Sequence, residues 1–180
     1  MKDLYHPFLV GEIIYLRGLE EQDLVGSYFQ WFNDQESDVF TNHAVWPNSQ
    51  KKMRAFFDKV ADGRSDLVLA IIDKASHRHI GNIGLHDINW QHRHAKLAII
   101  VGEKDMRGGG RGAEAVRLVT GHAFKRLNLH RIHLGVREDN TPARRAYAKA
   151  GFQEEGCLRD VFLSGGTYYN VINMSLISPY

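Results

Sequence analysis

Cysteine is almost absent from this chain. Cys157 is the only one among 180 residues, which excludes an internal disulfide and suits a reducing compartment such as the cytoplasm. Long apolar runs are missing too. The longest uninterrupted one, residues 67–72, is far short of a membrane span, so no membrane association is expected. Residues 1–5 carry no apolar region of the signal-peptide kind, and export is not expected. No repeat, low-complexity tract or linker interrupts the sequence, so residues 1–180 read as one domain with a core over about residues 11–178. Nor is there a large charge excess. A net charge of +2 gives no case for nucleic acid as a partner. The distribution says more. Residues 18–50 contain no Lys or Arg but hold Glu20, Glu21, Asp23, Asp34, Glu36 and Asp38. An acidic segment beside a basic remainder suits a cationic acceptor facing a polyanionic ligand. Glu20, Glu21 and Asp23 also suit the first turn of a helix, where acids are stabilised by the helix dipole.

What is present is a soluble composition, 43% hydrophobic and 24% charged, with clear periodicity. Residues 11–17 alternate as an opening strand, and 20–32 read as a helix with Leu24, Tyr28 and Trp31 or Phe32 inward. Residues 33–48 form a loop. Ser49 caps a second helix that Gly63 ends. Strands follow at 66–73, 80–88, 95–101 and 131–137, with a helix from Ala113 and another opening on Thr141 as N-cap and Pro142. Gly151 ends that helix, and residues 152–163 and 167–177 close the chain as a hairpin. This order describes an α/β protein with a mixed central sheet of about seven strands flanked by helices.

The most informative stretch lies between the fourth strand and the helix from Ala113. It reads Arg107-Gly108-Gly109-Gly110-Arg111-Gly112. Glycines let the backbone curl around an anion, and the helix start adds unpaired N–H groups and a positive dipole end, so the loop reads as a phosphate cradle. A P-loop would require Lys followed by Ser or Thr, and Ala113-Glu114 follow instead. A dinucleotide fingerprint is formally satisfied by Gly108, Gly110 and Ala113, with Glu138 near the end of the next strand. That alternative stays open, although six residues separate Val101 from Gly108 where such a loop should open directly from its strand.

The pattern Arg-x-x-Gly-x-Gly resembles the acetyl-CoA pyrophosphate loop of the GNAT superfamily of N-acetyltransferases. A second motif of that superfamily, N-x-x-A-x-x-x-Y-x-x-x-G-F, is matched in full by Asn140, Ala143, Tyr147, Gly151 and Phe152. Within it the chain resembles the RimJ/RimL-type ribosomal-protein, spermidine and amino-sugar N-acetyltransferases. The resemblance implies a single GNAT (acyl-CoA N-acyltransferase) fold whose two middle strands splay apart around the pantetheine arm. It implies acetyl-CoA as acetyl donor, held by the main chain of Ile99, Ile100 and Val101. The backbone amides of Arg107, Gly108, Gly109, Gly110, Arg111, Gly112 and Ala113 would hold its pyrophosphate, and Asn140, Ala143 and Tyr147 would stand beside its arm. The acceptor would be a small-molecule amine or a protein N-terminus, and a homodimer is a state to look for.

Direct acetyl transfer in a ternary complex needs a neutral amine and a protonated leaving thiol. Tyr147 is the candidate general acid, since a phenol near pKa ~10 can protonate a thiolate of pKa ~8.5. Many relatives carry an acid early in the central strand, where this chain has Lys96. Glu103, Asp87 and His86 remain as base candidates, and Lys96 suits an acceptor with an anionic group. Trp31, Asp34, Glu36, Trp46, His86 and Lys96 are the candidate acceptor residues. His77/His79, His92/His94 and His130/His133 are spaced pairs without a cysteine or carboxylate set at ligand spacing, so no metal is expected. A catalytically silent acyl-CoA-binding module is the rival from another class.

Overall fold

A computed structural model describes residues 5–34, 40 and 45–180. Eight strands form one sheet in the order β1-β2-β3-β4-β5-β6-β8-β7. They span β1 (Leu9–Val10), β2 (Ile14–Gly18), β3 (Leu67–Asp73), β4 (His79–Asn89), β5 (His94–Val101), β6 (Arg131–Arg137), β7 (Gln153–Ser164) and β8 (Thr167–Ile177). The extra strand over the seven expected is β1, two residues that pair antiparallel with Tyr15 and Leu16. A strand that short leaves no alternation to read in the sequence. The helices are α1 (Ser27–Trp31), α2 (Gln50–Asp62), α3 (Arg111–Lys125) and α4 (Thr141–Lys149).

The expected helix over 20–32 is divided. A 3-10 turn over Glu21–Val25 and the short α1 meet at Gly26, whose extended backbone (φ −91°, ψ −161°) breaks the helical path. Asp23 explains why the turn holds. It accepts the Glu20 N–H at 2.8 Å and a two-pronged contact from the buried Arg17 guanidinium at 2.7 and 2.8 Å. The α4 start is shifted by one residue. Asn140, not Thr141, is the N-cap, its side chain accepting the Ala143 N–H at 3.3 Å. The α2 start is as expected, with Ser49 accepting the Lys52 N–H.

Every strand pair is antiparallel except β5 with β6. That parallel pair is matched over three residue pairs only, His94 with Arg131, Ala95 with Ile132 and Lys96 with His133. Beyond Lys96 the two strands part, with β5 still matched to β4 as far as Val101 and β6 to β8 as far as Arg137. One sheet face carries the main core, where Ile83, Leu85, Leu97, Ile132 and Leu134 meet Val116 and Val119 of α3. The opposite face of β4 and β5 is covered by a smaller aromatic cluster of Leu24, Tyr28, Trp31 and Met53, with Ile100 packed against it.

Glu114 ties the two ends of this architecture together. Its carboxylate, 5% exposed in the first turn of α3, accepts the N–H groups of Glu12, Ile13 and Ile14. The helix dipole favours an acid there, and the three N–H groups lie at and just before the start of β2. Replacing Glu114 with Ala leaves three donors without a partner. We expect a loss of roughly 3 kcal/mol in urea unfolding, with Glu114→Gln retaining part of it; equal stability of the Ala variant and the wild type would refute the anchor.

Candidate active site

The parting of β5 and β6 opens a cleft at their carboxyl ends. The loop after β5 rises to the N-terminus of α3. Gly108, Gly109 and Gly110 all take positive φ (81°, 60° and 85°), a conformation costly for residues with a side chain. Gly110 is the N-cap of α3, and no side chain caps the helix. The first-turn N–H groups of a helix have no intrahelical partner, so this loop presents donors and the positive end of a fifteen-residue helix. Gly112 lies against Ile99 and Val101, where a Cβ would sit 3.7 Å from each side chain. Arg107 turns inward, its guanidinium donating to the Val101 carbonyl at 3.0 Å. Arg111 donates to Asp73 at 2.8 Å, fixing the loop to the end of β3.

Tyr147 stands on α4 and packs against the main core, its ring 5.8 Å from that of Phe152. Its hydroxyl makes no hydrogen bond among the described residues. Burial pushes the phenol up to about 12, so it is a neutral proton donor across the physiological range. Ala143 packs in the same core, one turn earlier. Asn140 spends its carbonyl oxygen on the helix cap.

On the opposite face, a cavity of about 380 Å³ opens over β4 and β5, floored by Gly84, Ala98, Ile99 and Ile100. Its walls are Tyr28 and Phe32 after the first turn, Met53 and Phe56 of α2, and Trp46, which is largely exposed. His86 lines it as well. Its Nδ1 lies 2.8 Å from the Asp66 carboxylate, whose side chain is only 5% exposed. Burial alone would raise the Asp66 carboxyl. Hydrogen bonds from Ser65, His86 and Lys59 outweigh that and hold it below its ordinary value, so it stays ionised.

The structure therefore brings Trp46, His86, Ile99 and Ile100 to one cavity, and separates from it several residues expected there. Trp31 is buried; it lies flat on Gly102 and donates to Glu103 at 3.1 Å. Glu103 is also ion-paired to Arg78 and lines a second cavity, of about 330 Å³, with Asp23 and His79. Asp34 pairs with Lys104 at 3.0 Å. Lys96 is exposed between His86 and His133 in register, at the last pair before the strands part. Asp87 is exposed in a bulge, at φ 52°. Glu36 falls outside the described residues. Asp66 was not singled out from the sequence. The pairing of Leu67 with Leu85 makes it the cross-strand neighbour of His86, a step available from the hairpin register. No group of three or more His, Cys, Asp or Glu side chains suited to a metal occurs among the described residues.

Residues 14–153 match the acetyltransferase (GNAT) domain family. The chain belongs to that family. It is an acetyltransferase with the GNAT fold, and a largely antiparallel sheet with one short parallel pair is not the doubly wound sheet a dinucleotide site needs. The spermidine N(1)-acetyltransferase of Vibrio cholerae serotype O1 is 25% identical over 93% of this chain and 88% of its own. A probable N-acetyltransferase of Bacillus subtilis, YjcK, is 29% identical over 95% and 97%. Among solved structures, spermidine N-acetyltransferase from Vibrio cholerae in complex with CoA and spermine superposes with a TM-score of 0.84 at 27% identity, covering 92% of this chain and 95% of that one. No helix among the described residues is long and apolar enough to cross a membrane.

Asp73 gives this site a pH signature. Burial would raise its carboxyl, but hydrogen bonds from Arg111 and Ser76 win and hold it at about 2. A folded value below the unfolded one means stabilisation that is complete above about pH 4 and lost as pH falls towards 2. We expect Asp73→Asn to cost on the order of 2 kcal/mol at pH 7 and to flatten the acid limb of stability, read by urea titration at several pH values.

Proposed function

We propose that this acetyltransferase moves the acetyl group of acetyl-CoA to a primary amine by direct attack in a ternary complex. The observation that carries the reading is the parting of β5 from β6 next to the uncapped start of α3; the Tyr147 phenol, without a hydrogen bond among the described residues, would flank that cleft. The backbone of residues 107–113 would hold the pyrophosphate. The free edge of β5 at Ile99, Ile100 and Val101 would pair with the pantetheine arm as an added strand does, and the Asn140 amide would donate to it. Tyr147 would give its proton to the departing thiolate. The likeness to spermidine N-acetyltransferases supports a polyamine acceptor. The cavity supports a different one. Its described lining is aromatic and aliphatic, with Lys52 and His86 as the only ionisable groups besides Tyr28 and with no carboxylate to pair a second ammonium. A monoamine on an apolar or aromatic body, such as a peptide N-terminus or an amino sugar with an apolar substituent, suits it better.

Four measurements test this. Acetyl-CoA should raise the melting temperature, since a ligand of the folded state alone stabilises it, while NAD should not. Thiol release should then be followed with spermidine, amino sugars and short peptides; a preference for spermidine would overturn the monoamine assignment. Tyr147→Phe should lower kcat by about 100-fold or more and leave stabilisation by acetyl-CoA unchanged. With the phenol at about 12, the wild type should show no alkaline loss from this group below about pH 10. Intact turnover by Tyr147→Phe at saturating substrates would remove it from the mechanism.

A further inference from the structure

We infer that His86, held by Asp66, is the general base that takes a proton from the acceptor ammonium; this rests on the acetyl-transfer reading above. Four observations converge. The Asp66 carboxylate can only accept, so the bond at 2.8 Å places the imidazole hydrogen on Nδ1 and leaves the Nε2 lone pair open. Asp66 is itself locked by Ser65 at 2.8 Å and Lys59 at 3.2 Å, so the ring it orients has one preferred position. Nε2 makes no hydrogen bond among the described residues and belongs to the cavity wall. Finally, the ring lies along the strand over Gly84, where a Cβ would come within 2.7 Å of Nε2. Only glycine leaves that space.

The register gives the dyad its place. His86, Lys96 and His133 form one row across β4, β5 and β6, and this row is the last at which β5 and β6 are matched. An acyl arm entering from the α3 loop along Val101, Ile100 and Ile99 runs towards that row. Its thioester end and the cavity containing Nε2 therefore approach each other at the apex of the cleft. The charged groups around the ring are Asp66 and Lys59 behind it, Asp87 beside it, Lys96 opposite on β5, and Lys52 of α2 on the cavity wall, where Tyr28 also stands. Lys52 and Lys96 disfavour a bound ammonium and favour its neutral form.

The step balances as follows. His86 Nε2 accepts one proton from R–NH3⁺. The freed nitrogen lone pair attacks the thioester carbonyl, forming the C–N bond. Collapse of the tetrahedral adduct breaks the C–S bond, and the thiolate takes the Tyr147 proton. The surplus N–H proton of the adduct returns to the tyrosinate through water, and the imidazolium releases its own to solvent. One amide, one thiol and one proton result.

The test is kcat/KM against pH for the wild type, His86→Gln, His86→Ala and Asp66→Asn, with acetyl-CoA and the best amine of the panel. His86→Gln should lower kcat/KM for the amine about 100-fold at neutral pH and abolish the acid limb, with KM for acetyl-CoA unchanged. The deficit should narrow as pH approaches the amine's own pKa, and imidazole buffer should restore turnover to His86→Ala. A Gly84→Ala variant, which displaces the ring without removing it, should share the deficit. Turnover of the variants that is equally depressed at every pH and indifferent to imidazole overturns the base and leaves acetyl transfer standing. A wild type that is stabilised by acetyl-CoA yet releases thiol with no amine overturns the transfer reading, and the base with it.

Discussion

The three-pair contact between β5 and β6 is the constraint on which the remainder of this molecule depends. A parallel pair that stops at Lys96 and His133 leaves the inner edges of both strands with backbone groups that need partners. The opening persists because each strand is committed elsewhere. β5 is matched to β4 from His94 to Val101, and β6 is matched to β8 over seven residue pairs. Closing the gap would require one of these half-sheets to slide, which would move alternating side chains off the core. Beneath the gap, Ile99, Ala143 and Tyr147 pack on the shared core, so the two halves are joined by side chains where they are not joined by backbone.

At the α3 loop the charged side chains are engaged within the chain, which leaves the backbone to face the cleft. Arg111 is engaged with Asp73 and Arg107 with the carbonyl at the end of β5. Glu114, in the first turn, directs its carboxylate away to the N–H groups of Glu12, Ile13 and Ile14. An anion at the loop would meet the uncapped N–H groups at the α3 start, beside three consecutive glycines, and the helix dipole, with no carboxylate of this helix competing for them.

Much of this was legible in the sequence, and what was not has a common cause. Periodicity located seven of the eight strands and helices α2 to α4, mostly within a residue or two, because alternation and capping are local; the opening strand starts at Ile14, three residues later than expected. The glycine run and the Asn140-to-Phe152 pattern identified the family because both are also local in sequence. The break at Gly26 was hidden by side chains whose spacing still suited a helix. Glu114 lies about 100 residues from the N–H groups it serves, and Asp66 lies 20 from His86. Such partners are brought together by register and tertiary packing, which composition does not record. His86 was visible as a residue and invisible as a dyad.

The acidic stretch before the second helix shows the limit of counting charges. Read as a sum, residues 18–50 look like a negative surface awaiting a cation. In the fold, the described acids are engaged one by one. Asp23 is paired with Arg17, Glu21 with Arg54, Asp34 with Lys104, and Glu20 accepts from Tyr5. The exposed pairs among them, Glu21 with Arg54 and Asp34 with Lys104, contribute little stability, but each ion pair offsets much of the field its acid would project. The segment's lasting contribution to the cavity is apolar, through Tyr28, Phe32 and Trp46. The same residues that suggest a polycation by their summed charge supply an apolar wall by their placement.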